Sequence, residues 1–191
     1  MEQRVLGAED AALKDEIDRL NAEVSRLKEQ VAQLDRVACM DTLVPAANRR
    51  GLVKALDMVL ARSARHGVPA AILFIDVDGL KHINDAHGHG AGDAVLIHLT
   101  ALMNANVRKT DLVARVGGDE FAVLLDHSDE RTAMDAAKRL ANTVAESDLL
   151  YRGTPLDLGV AIGLAMIEKD DTPESVLDRA DQAMYRVKNA A

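Results

Sequence analysis

Several kinds of residue are scarce in this sequence, and each shortage excludes a class of protein. The chain has one cysteine, Cys39, so no disulfide can form within it, which fits a reducing compartment. Tryptophan is absent and aromatic residues make up 2%, so aliphatic side chains must build the core. No apolar run reaches the roughly 20 residues of a membrane-spanning helix, and no signal-peptide pattern opens the sequence. We therefore expect a soluble, cytoplasmic protein with no membrane span.

Basic residues are outnumbered by acidic ones, and this limits the partners. Lys and Arg number 23 against 31 Asp and Glu, which gives a formal net charge of -8 and a pI near 5.2. A non-specific nucleic-acid binder usually has the opposite balance, so we expect no nucleic-acid partner. The acidity does not exclude a nucleotide substrate, because divalent cations can mediate phosphate contact. The 191 residues, 48% of them hydrophobic, suffice for one domain plus an extension.

The first forty residues carry a heptad repeat. Leucine fills the d positions and β-branched residues fill three a positions, which favours a parallel two-stranded coiled coil. The d residues are Leu13, Leu20, Leu27 and Leu34, and the a residues are Ile17, Val24, Val31 and Ala38. The alternative is an amphipathic helix packed on its own domain, but a stripe of two residues in seven is narrow for globular packing. We predict that residues 1–40 form the coiled coil of a homodimer, which holds two copies of the following domain side by side.

From residue 41 onward the pattern changes to mixed helices and strands. Helices are predicted at 49–65, 91–103 and 129–146, and a last one begins at Pro173 with Thr172 as its N-cap. Strands are predicted at 70–77, 112–116, 120–125 and 156–165, with a hairpin turn at Gly117-Gly118. These elements favour an α/β fold in which helices flank a mixed sheet. We take residues 41–191 as one domain.

Two acidic clusters stand beside predicted strand ends. Asp76 and Asp78 follow an apolar strand, where α/β proteins commonly bind ligands, and Mg²⁺ takes carboxylates together with substrate phosphates. Asp119 and Glu120 follow the paired glycines, and a metal would relieve the repulsion between adjacent acids. The alternatives are a helix cap or turn for the first pair and a polar hairpin tip for the second. If the hairpin lies beside the first strand, Asp119 and Asp76 can share the same cations.

A polar segment with three glycines, residues 81–93, joins a predicted strand to a helix. We expect a loop whose amide N–H groups and following helix N-terminus face phosphate. Asp93 can accept the N1–H and N2–H groups of guanine, and the Asn84 amide can donate to the acceptor edge of guanine, which suits guanine and not adenine. His87 and His89 suggest zinc, but no matching cysteine pair exists, so exposed loop histidines are the favoured interpretation.

Taken together, these segments resemble the GGDEF family of diguanylate cyclases. Residues 117–121 spell GGDEF, the family signature. Residues 74–93, FIDVDGLKHINDAHGHGAGD, resemble the substrate and metal region of the family. Residues 41–50, DTLVPAANRR, resemble its opening motif, DxLTGLxNRR, and residues 180–188, ADQAMYRVK, resemble its closing helix. Several ordered motifs at matching spacing are far more specific than any one of them.

The resemblance implies a palm-like nucleotidyl cyclase fold that condenses two GTP molecules into cyclic di-GMP and two pyrophosphates, with one GTP on each domain of a dimer. It implies Mg²⁺ or Mn²⁺ on the Asp76 and Asp119 carboxylates and the Val77 carbonyl. Asp119 and Glu120 are the implied catalytic residues, with Glu120 supporting the metal site. The implied substrate-binding residues are Asn84 and Asp93 at guanine, Leu43 near the base, Gly79, Leu80, Lys81 and Lys188 at the triphosphate, and His89.

A further family pattern, RxxD, precedes the signature. It consists of Arg108 and Asp111, and the resemblance implies an inhibitory site for the product there. We expect Arg139 and Arg62 to complete this site, although ordinary surface charges are the alternative. The opening motif departs from the family at residues 44–46, Val-Pro-Ala in place of Thr-Gly-Leu, which can reshape the turn between coil and domain.

Three functions are compatible with these motifs. The first is an active, product-inhibited cyclase regulated through its coil. The second is a non-enzymatic module that binds cyclic di-GMP or GTP in signalling, and the third is a dimerising scaffold without a ligand. The intact acidic and guanine-binding residues favour the enzyme. Nothing before residue 10 resembles a sensor, so we expect an upstream sensor domain or a partner to supply the signal.

Overall fold

The computed structural model describes the backbone of residues 2–190 and the side chains of residue 14 and residues 16–190. The helices are α1 Glu2–Ala38, α2 Arg49–His66, α3 Leu80–His87, α4 His89–Asn106, α5 Glu130–Ala145 and α6 Pro173–Lys188. The strands are β1 Ala47–Asn48, β2 Ala71–Val77, β3 Leu112–Arg115, β4 Glu120–Leu125, β5 Leu149–Tyr151, β6 Thr154–Leu156 and β7 Val160–Met166. The chain divides into two compact units, residues 1–38 and 39–191.

The first unit is the 37-residue helix α1. Its predicted seam residues Ile17, Leu20, Val24, Leu27, Val31 and Leu34 are between 46% and 69% exposed in the single chain. The side chain of Leu13, the first predicted d residue, lies outside the described residues. On the polar surface of the helix, Arg19 and Arg26 each form an ion pair with the glutamate three residues earlier. The helix therefore carries a regular, uncovered apolar stripe.

The second unit is built around a five-stranded sheet with the order β1-β3-β4-β2-β7. Strand β2 pairs antiparallel with both β4 and β7, β3 pairs antiparallel with β4, and β1 pairs parallel with β3. All seven residues of β2 are buried, because helices cover both faces of the sheet at this strand. The prediction of a mixed sheet flanked by helices is confirmed.

Side chains alternate between two core layers on the two faces of the sheet. Leu73 and Ile75 of β2 lie in the first core layer, together with residues of α4 and α5. Ile72 and Phe74 lie in the second core layer, together with residues of α2 and α6. This alternation follows directly from the period of two in a strand. It leaves the polar side chain of Asp76 at the C-terminal end of β2, where the apolar run stops.

Helix α6 lies very close to β7. An added Cβ on Gly163 would collide with the backbone of Met184 and Ala180, so only glycine permits this approach. The helix begins where predicted, with Pro173 in its first turn and a capping box between Thr172 and Ser175. Close packing along its length carries its last residue, Lys188, to the end of the sheet where β2 finishes.

Two sequence-based expectations are wrong. The strand predicted at 156–165 is two strands in different sheets, because the chain leaves strand geometry at residues 157–159. Strand β6 pairs with β5 in a separate hairpin, and β7 joins the main sheet. The loop predicted at 81–93 lies almost wholly in α3 and the start of α4. The two helices are separated by Gly88, whose φ of 83° is the region that favours glycine.

The other predicted elements agree with the structure to within one to three residues at each end. These are the helices α2, α4, α5 and α6 and the strands β2, β3 and β4. Strands β1 and β5 were not predicted, since they contain two and three residues and carry too little pattern. Within residues 2–190, no helix is both long enough and apolar enough to cross a bilayer.

Candidate active site

Strand pairing brings the two acidic motifs together. Asp76 of β2 lies opposite Glu120 of β4 in the antiparallel register. The Val77 N–H donates a 3.1 Å hydrogen bond to the carbonyl of Asp119, one residue before β4. The signature turn, residues 116–119, therefore folds over the end of β2. The arrangement that sequence analysis made conditional, with the hairpin beside the first strand, is the one observed.

Glycine in the signature turn makes room for the carboxylate that follows it. The N–H groups of Val116 and Gly117 both donate to the carbonyl of Glu120, at 2.8 and 3.3 Å. A Cβ on Gly117 would lie 2.5 Å from a carboxylate oxygen of Glu120, closer than real contacts allow. Gly117 thus lets the Glu120 side chain fold back against its own turn, on the side that faces Asp119 and Asp76.

Negative charge is concentrated at this end of the sheet. Burial raises the pKa of Glu120, and the charges of Asp119, Asp181 and Asp76 raise it further. Burial also raises the pKa of Asp78, and the charge of Asp76 adds to this. Such raised carboxyl pKa values mark a place where a cation would be stabilised.

One protein cation already lies there. The ammonium of Lys188 donates a 2.5 Å hydrogen bond to Oδ1 of Asp76, whose residue is 8% exposed. This hydrogen bond is the main reason that the pKa of Lys188 is raised, and the charges of Asp119 and Asp78 contribute as well. The Lys188 ammonium therefore occupies the position beside the buried carboxylate where a metal cation could bind.

The donor set fits a divalent metal ion that binds together with a substrate. No three His, Cys, Asp or Glu side chains converge on one point within the described part of the chain. Two carboxylates, Asp76 and Asp119, and the carbonyl of Val77 are hard oxygen donors at the same strand end. Mg²⁺ is commonly held by one or two carboxylates and by substrate phosphates, so this incomplete set suits it.

A cavity of about 480 Å³ opens beside these carboxylates. Helices α3 and α4 and the signature turn form its walls. Six of the residues predicted to serve the reaction line it: Leu80, Lys81, Asn84, His89, Asp93 and Asp119. The cavity lining therefore combines one predicted metal ligand, Asp119, with both predicted guanine-binding residues, Asn84 and Asp93.

Asn84 is prepared for a ligand. Its Oδ1 is buried and accepts no hydrogen bond within the described structure. The amide occupies the space beside the Cα of Gly92, where any Cβ would collide with it. An unsatisfied buried polar group costs about 1–3 kcal/mol, so a ligand that lets this amide turn and form hydrogen bonds would recover part of that cost.

Six of the predicted catalytic, metal and substrate-binding residues do not line the cavity: Asp76, Val77, Glu120, Lys188, Leu43 and Gly79. Leu43 packs at the edge of the first core layer, and its N–H donates to the Asp41 carboxylate at 2.9 Å. Gly79 is the left-handed residue before α3, with φ of 67°, and its carbonyl accepts the Ile83 N–H. The predicted loop histidines are at helix ends instead: His87 ends α3 and His89 begins α4, and both are exposed.

Sequence analysis missed Arg115 at the cavity. Its Nε and Nη2 donate to the carbonyl of Gly118 at 3.3 and 2.8 Å, and Nη1 lies 3.5 Å from Oδ1 of Asp41. It thus ties the signature turn to the opening motif. An arginine two residues before the paired glycines was a visible signal. Asp181 of α6, which raises the pKa of Glu120, was also missed and gave no signal in the sequence.

The residues predicted for product inhibition lie at the other end of the β3–β4 hairpin. The Asp111 carboxylate accepts the N–H groups of Arg108 and Asp126, at 2.8 and 3.1 Å. Arg139 of α5 donates a 2.9 Å hydrogen bond to the carbonyl of Asn106, two residues before Arg108. The predicted residues on these three segments are therefore neighbours.

Arg62, the fourth predicted residue, is held by a partner that the sequence did not reveal. It pairs with the carboxylate of Asp126, which is 7% exposed. The same carboxylate lies 3.0 Å from Nδ1 of His127. Asp126 therefore connects Arg62 on α2 with Asp111 before β3. Nothing in the sequence signals a pair that is so far apart along the chain.

The chain is similar to known proteins over nearly its whole length. The family model described as the GGDEF domain of diguanylate cyclases matches residues 38–191. Diguanylate cyclase TpbB of Pseudomonas aeruginosa is 38% identical over 190 residues, which cover 97% of this chain and 42% of TpbB. Diguanylate cyclase DosC of Escherichia coli is 36% identical over 150 residues, which cover 78% of this chain and 33% of DosC.

The fold is also shared with solved structures. The coiled coil and GGDEF domain of DgcB from Caulobacter crescentus, in complex with c-di-GMP, superpose with a TM-score of 0.80 at 28% identity, covering 94% of this chain and 95% of that one. The chain spans less than half the length of the two curated relatives above. The family model, the two relatives and the signature turn agree, and the chain belongs to the GGDEF domain family of diguanylate cyclases.

Proposed function

We propose that this protein is a diguanylate cyclase that condenses two GTP molecules into cyclic di-GMP and releases two pyrophosphates. The observation that carries the proposal is the cavity that joins Asn84 and Asp93 to Asp119, beside the buried Asp76. TpbB and DosC, both named diguanylate cyclases, are relatives at 38% and 36% identity. Since the chain covers only part of each, the activity is a proposal for this chain.

Asn84 and Asp93 bind guanine in this proposal. The Asp93 carboxylate accepts the N1–H and N2–H groups together, and the buried amide of Asn84 hydrogen-bonds to the base edge. Adenine has neither an N1–H group nor a 2-amino group to donate to this carboxylate, so the site rejects ATP. We assign Leu43, which packs at the edge of the first core layer, to contact with the base, and His89 lines the cavity.

The triphosphate lies toward the start of α3. The helix N-terminus at Leu80 follows Gly79, which provides no side-chain cap, so its backbone N–H groups are available to phosphate. Lys81 lines the cavity beside them. Lys188 exchanges its hydrogen bond with Asp76 for one with phosphate when GTP binds, and thereby releases the carboxylate.

Asp76, Asp119 and the Val77 carbonyl hold Mg²⁺ or Mn²⁺, with Glu120 supporting the site. A divalent ion held by these residues would lower the pKa of the attacking 3′-hydroxyl and stabilise charge on the α-phosphoryl oxygens. In each of two condensations, the 3′-oxygen of one GTP forms a bond to the α-phosphorus of the other, the bond from that phosphorus to pyrophosphate breaks, and the hydroxyl proton passes to water. We assign Asp119 a ligand role, because a metal-bound carboxylate is a weak proton acceptor.

The reaction needs two chains, because each cavity holds one GTP. We assign residues 1–40 to a parallel coiled coil that pairs two copies of the cyclase domain, residues 41–191. The uncovered stripe of α1 supports this assignment. The DgcB structure, which contains a coiled coil and a GGDEF domain, offers a parallel. We also propose that a sensor domain or a partner acts through this coil. A cytoplasmic location suits the single cysteine.

Product inhibition is assigned to the cluster at the far end of the β3–β4 hairpin. Arg108 and Arg139 bind product phosphate or guanine, and Asp111 retains acceptor capacity for guanine N–H groups. Arg62 contributes once it is released from Asp126. The support is the spatial proximity of these side chains, which lie away from the cavity along the same two strands.

Incubation with GTP and Mg²⁺ tests the proposal, with pyrophosphate release and cyclic di-GMP as the two readouts. We expect Asp119→Ala to lower turnover at least about 100-fold while the dimer persists. The matched control is Asp135→Ala on the exposed face of α5, for which we expect wild-type turnover. Binding of GTP or cyclic di-GMP without pyrophosphate release would identify a receptor instead. Full turnover in Asp119→Ala would contradict the metal assignment.

A further inference from the structure

The β5–β6 hairpin is an element that sequence analysis did not predict. Its two-residue turn consists of Arg152 and Gly153, which have φ of 51° and 85°, the signs of a type I′ turn. The Arg152 guanidinium lies 5.4 Å from the centroid of the Tyr151 ring, within the range of a cation–π contact. Leu149 and Tyr151 pack against the first core layer. The turn, the stacking and the packing together hold Tyr151 in place.

The Tyr151 hydroxyl lies against the first turn of α4. A Cβ built on Gly90 would be 2.8 Å from the hydroxyl oxygen and 3.9 Å from Cζ of Tyr151. Apart from the chain neighbours of Gly90 and the backbone of its own helix, no other described residue has an atom within 4 Å of that Cβ. Real Cβ atoms essentially never come closer than 3.0 Å to another heavy atom. Gly90 is exposed, so a side chain there meets only Tyr151, and either the hydroxyl or the first turn of α4 must shift to admit it.

This contact lies beside the guanine end of the cavity. His89 and Asp93, on either side of Gly90 in the first turns of α4, both line the cavity, and Gly92 between them is buried against the Asn84 amide. A shift of this turn moves the Asp93 carboxylate relative to Asn84. Two hydrogen bonds from guanine to one carboxylate require both oxygens to be in place, so recognition is sensitive to such a shift.

We propose that the Tyr151 hydroxyl, which lies where a side chain at Gly90 would begin, is a positioning group that sets the first turn of α4 and thereby the selectivity of Asp93 for guanine. The inference rests on the proposed GTP site and adds a residue from a separate hairpin to it. Tyr151 acts through α4 and does not touch the base.

Four variants test this contact: Gly90→Ala, Tyr151→Phe, the double variant, and Tyr185→Phe as the matched control. Tyr185 is the other tyrosine of the chain and is 63% exposed on α6. The first readout is kcat/KM for GTP divided by kcat/KM for inosine triphosphate, which lacks the 2-amino group. The second is the binding of both nucleotides with a carbon bridge between the α- and β-phosphates, which reports on the pocket without turnover.

Gly90→Ala introduces the collision, so we expect KM for GTP to rise by about 5- to 10-fold and the GTP preference to fall by a similar factor. Tyr151→Phe removes the oxygen and leaves Cζ at an ordinary distance, so we expect at most about a 3-fold loss of preference. In the double variant the added methyl group fits, and both readouts return to within about 2-fold of Tyr151→Phe. Tyr185→Phe should match the wild type.

The inference is overturned if Gly90→Ala is as harmful in combination with Tyr151→Phe as it is alone, or if it weakens GTP and inosine triphosphate equally. The first result would show that the hydroxyl is not what fills the space, and the second would show a structural role without selectivity. A wild-type protein without turnover refutes the proposed cyclase. The binding readout then still decides the inference, because the same non-additivity and the same loss of preference are expected in nucleotide affinity.

Discussion

Replacing Leu27 with alanine measures how much the coiled coil contributes to activity. Leu27 lies at a d position and is 46% exposed in the single chain. Full burial of a leucine side chain stabilises by about 1.5–3 kcal/mol, so covering the exposed half contributes about 0.7–1.5 kcal/mol per chain. A dimer carries two such side chains, which gives about 1.5–3 kcal/mol and raises the dimer dissociation constant about 10- to 150-fold. Alanine keeps the helix, because it has the highest helix propensity.

The assay is turnover per chain across a dilution series, with the dimer fraction measured by sedimentation in the same samples. We expect the concentration for half-maximal turnover to rise by the same factor as the dissociation constant. Glu29→Ala, at the outermost position of the same heptad, is the control and should leave both curves in place. Unchanged turnover of Leu27→Ala at every dilution would refute the assignment of the coil as the element that pairs the cavities.

Three further outcomes follow from the structure. The pKa of Glu120 in the folded protein is raised above its ordinary value of 4.5, so the neutral carboxyl group stabilises the fold at low pH and this stability is lost as the pH rises. Glu120→Gln should therefore raise the Tm of the metal-free protein at pH 7, where Glu120 is charged. The gain should vanish toward pH 4. Arg108→Ala should raise the cyclic di-GMP concentration for half-inhibition by about 10- to 100-fold, with the initial rate unchanged, as progress curves with added product can check. Gly163→Ala should lower the free energy of unfolding by about 1–3 kcal/mol in urea titrations, because it separates β7 from α6; an unchanged midpoint would mean that the helix moves freely.

Local signals in the sequence were enough to predict much of the sheet. The apolar run that ends at Asp76 predicted β2 almost to the residue, and the Thr172-Pro173 pair predicted the start of α6. In both cases the local pattern and the tertiary packing favour the same structure. The register of β2 with β4 could not be read from the sequence, because it depends on which strands become neighbours.

The wrong strand at 156–165 shows where pattern reading fails. Leu156 and Leu158 alternate with polar residues as strand residues do, and both are buried. The backbone between them nevertheless turns, and the Gly159 carbonyl accepts the N–H of Asp78. Alternation reports that a side chain is buried, but it does not report which sheet the backbone joins.

The fold brings together candidate residues that the family motifs identify, but the residues that contact some of them were not predicted. The cavity contains Asn84, Asp93 and Asp119, which the motifs identify. The pairing of Arg62 with Asp126 and the contact of Tyr151 with Gly90 join residues that are distant along the chain. Such contacts depend on loop geometry and side-chain reach, for which a single sequence carries no periodic signal.

The hydrogen bond between Lys188 and Asp76 also bears on the order in which ligands arrive. A free divalent ion that approaches alone must compete with a tethered ammonium for the carboxylate, and it brings nothing that attracts the lysine away. A nucleotide with a bound cation brings both charges at once. Its triphosphate can pair with Lys188 while its cation binds Asp76 in place of the ammonium. For the proposed cyclase, we therefore expect the ion and the nucleotide to bind together rather than the ion first.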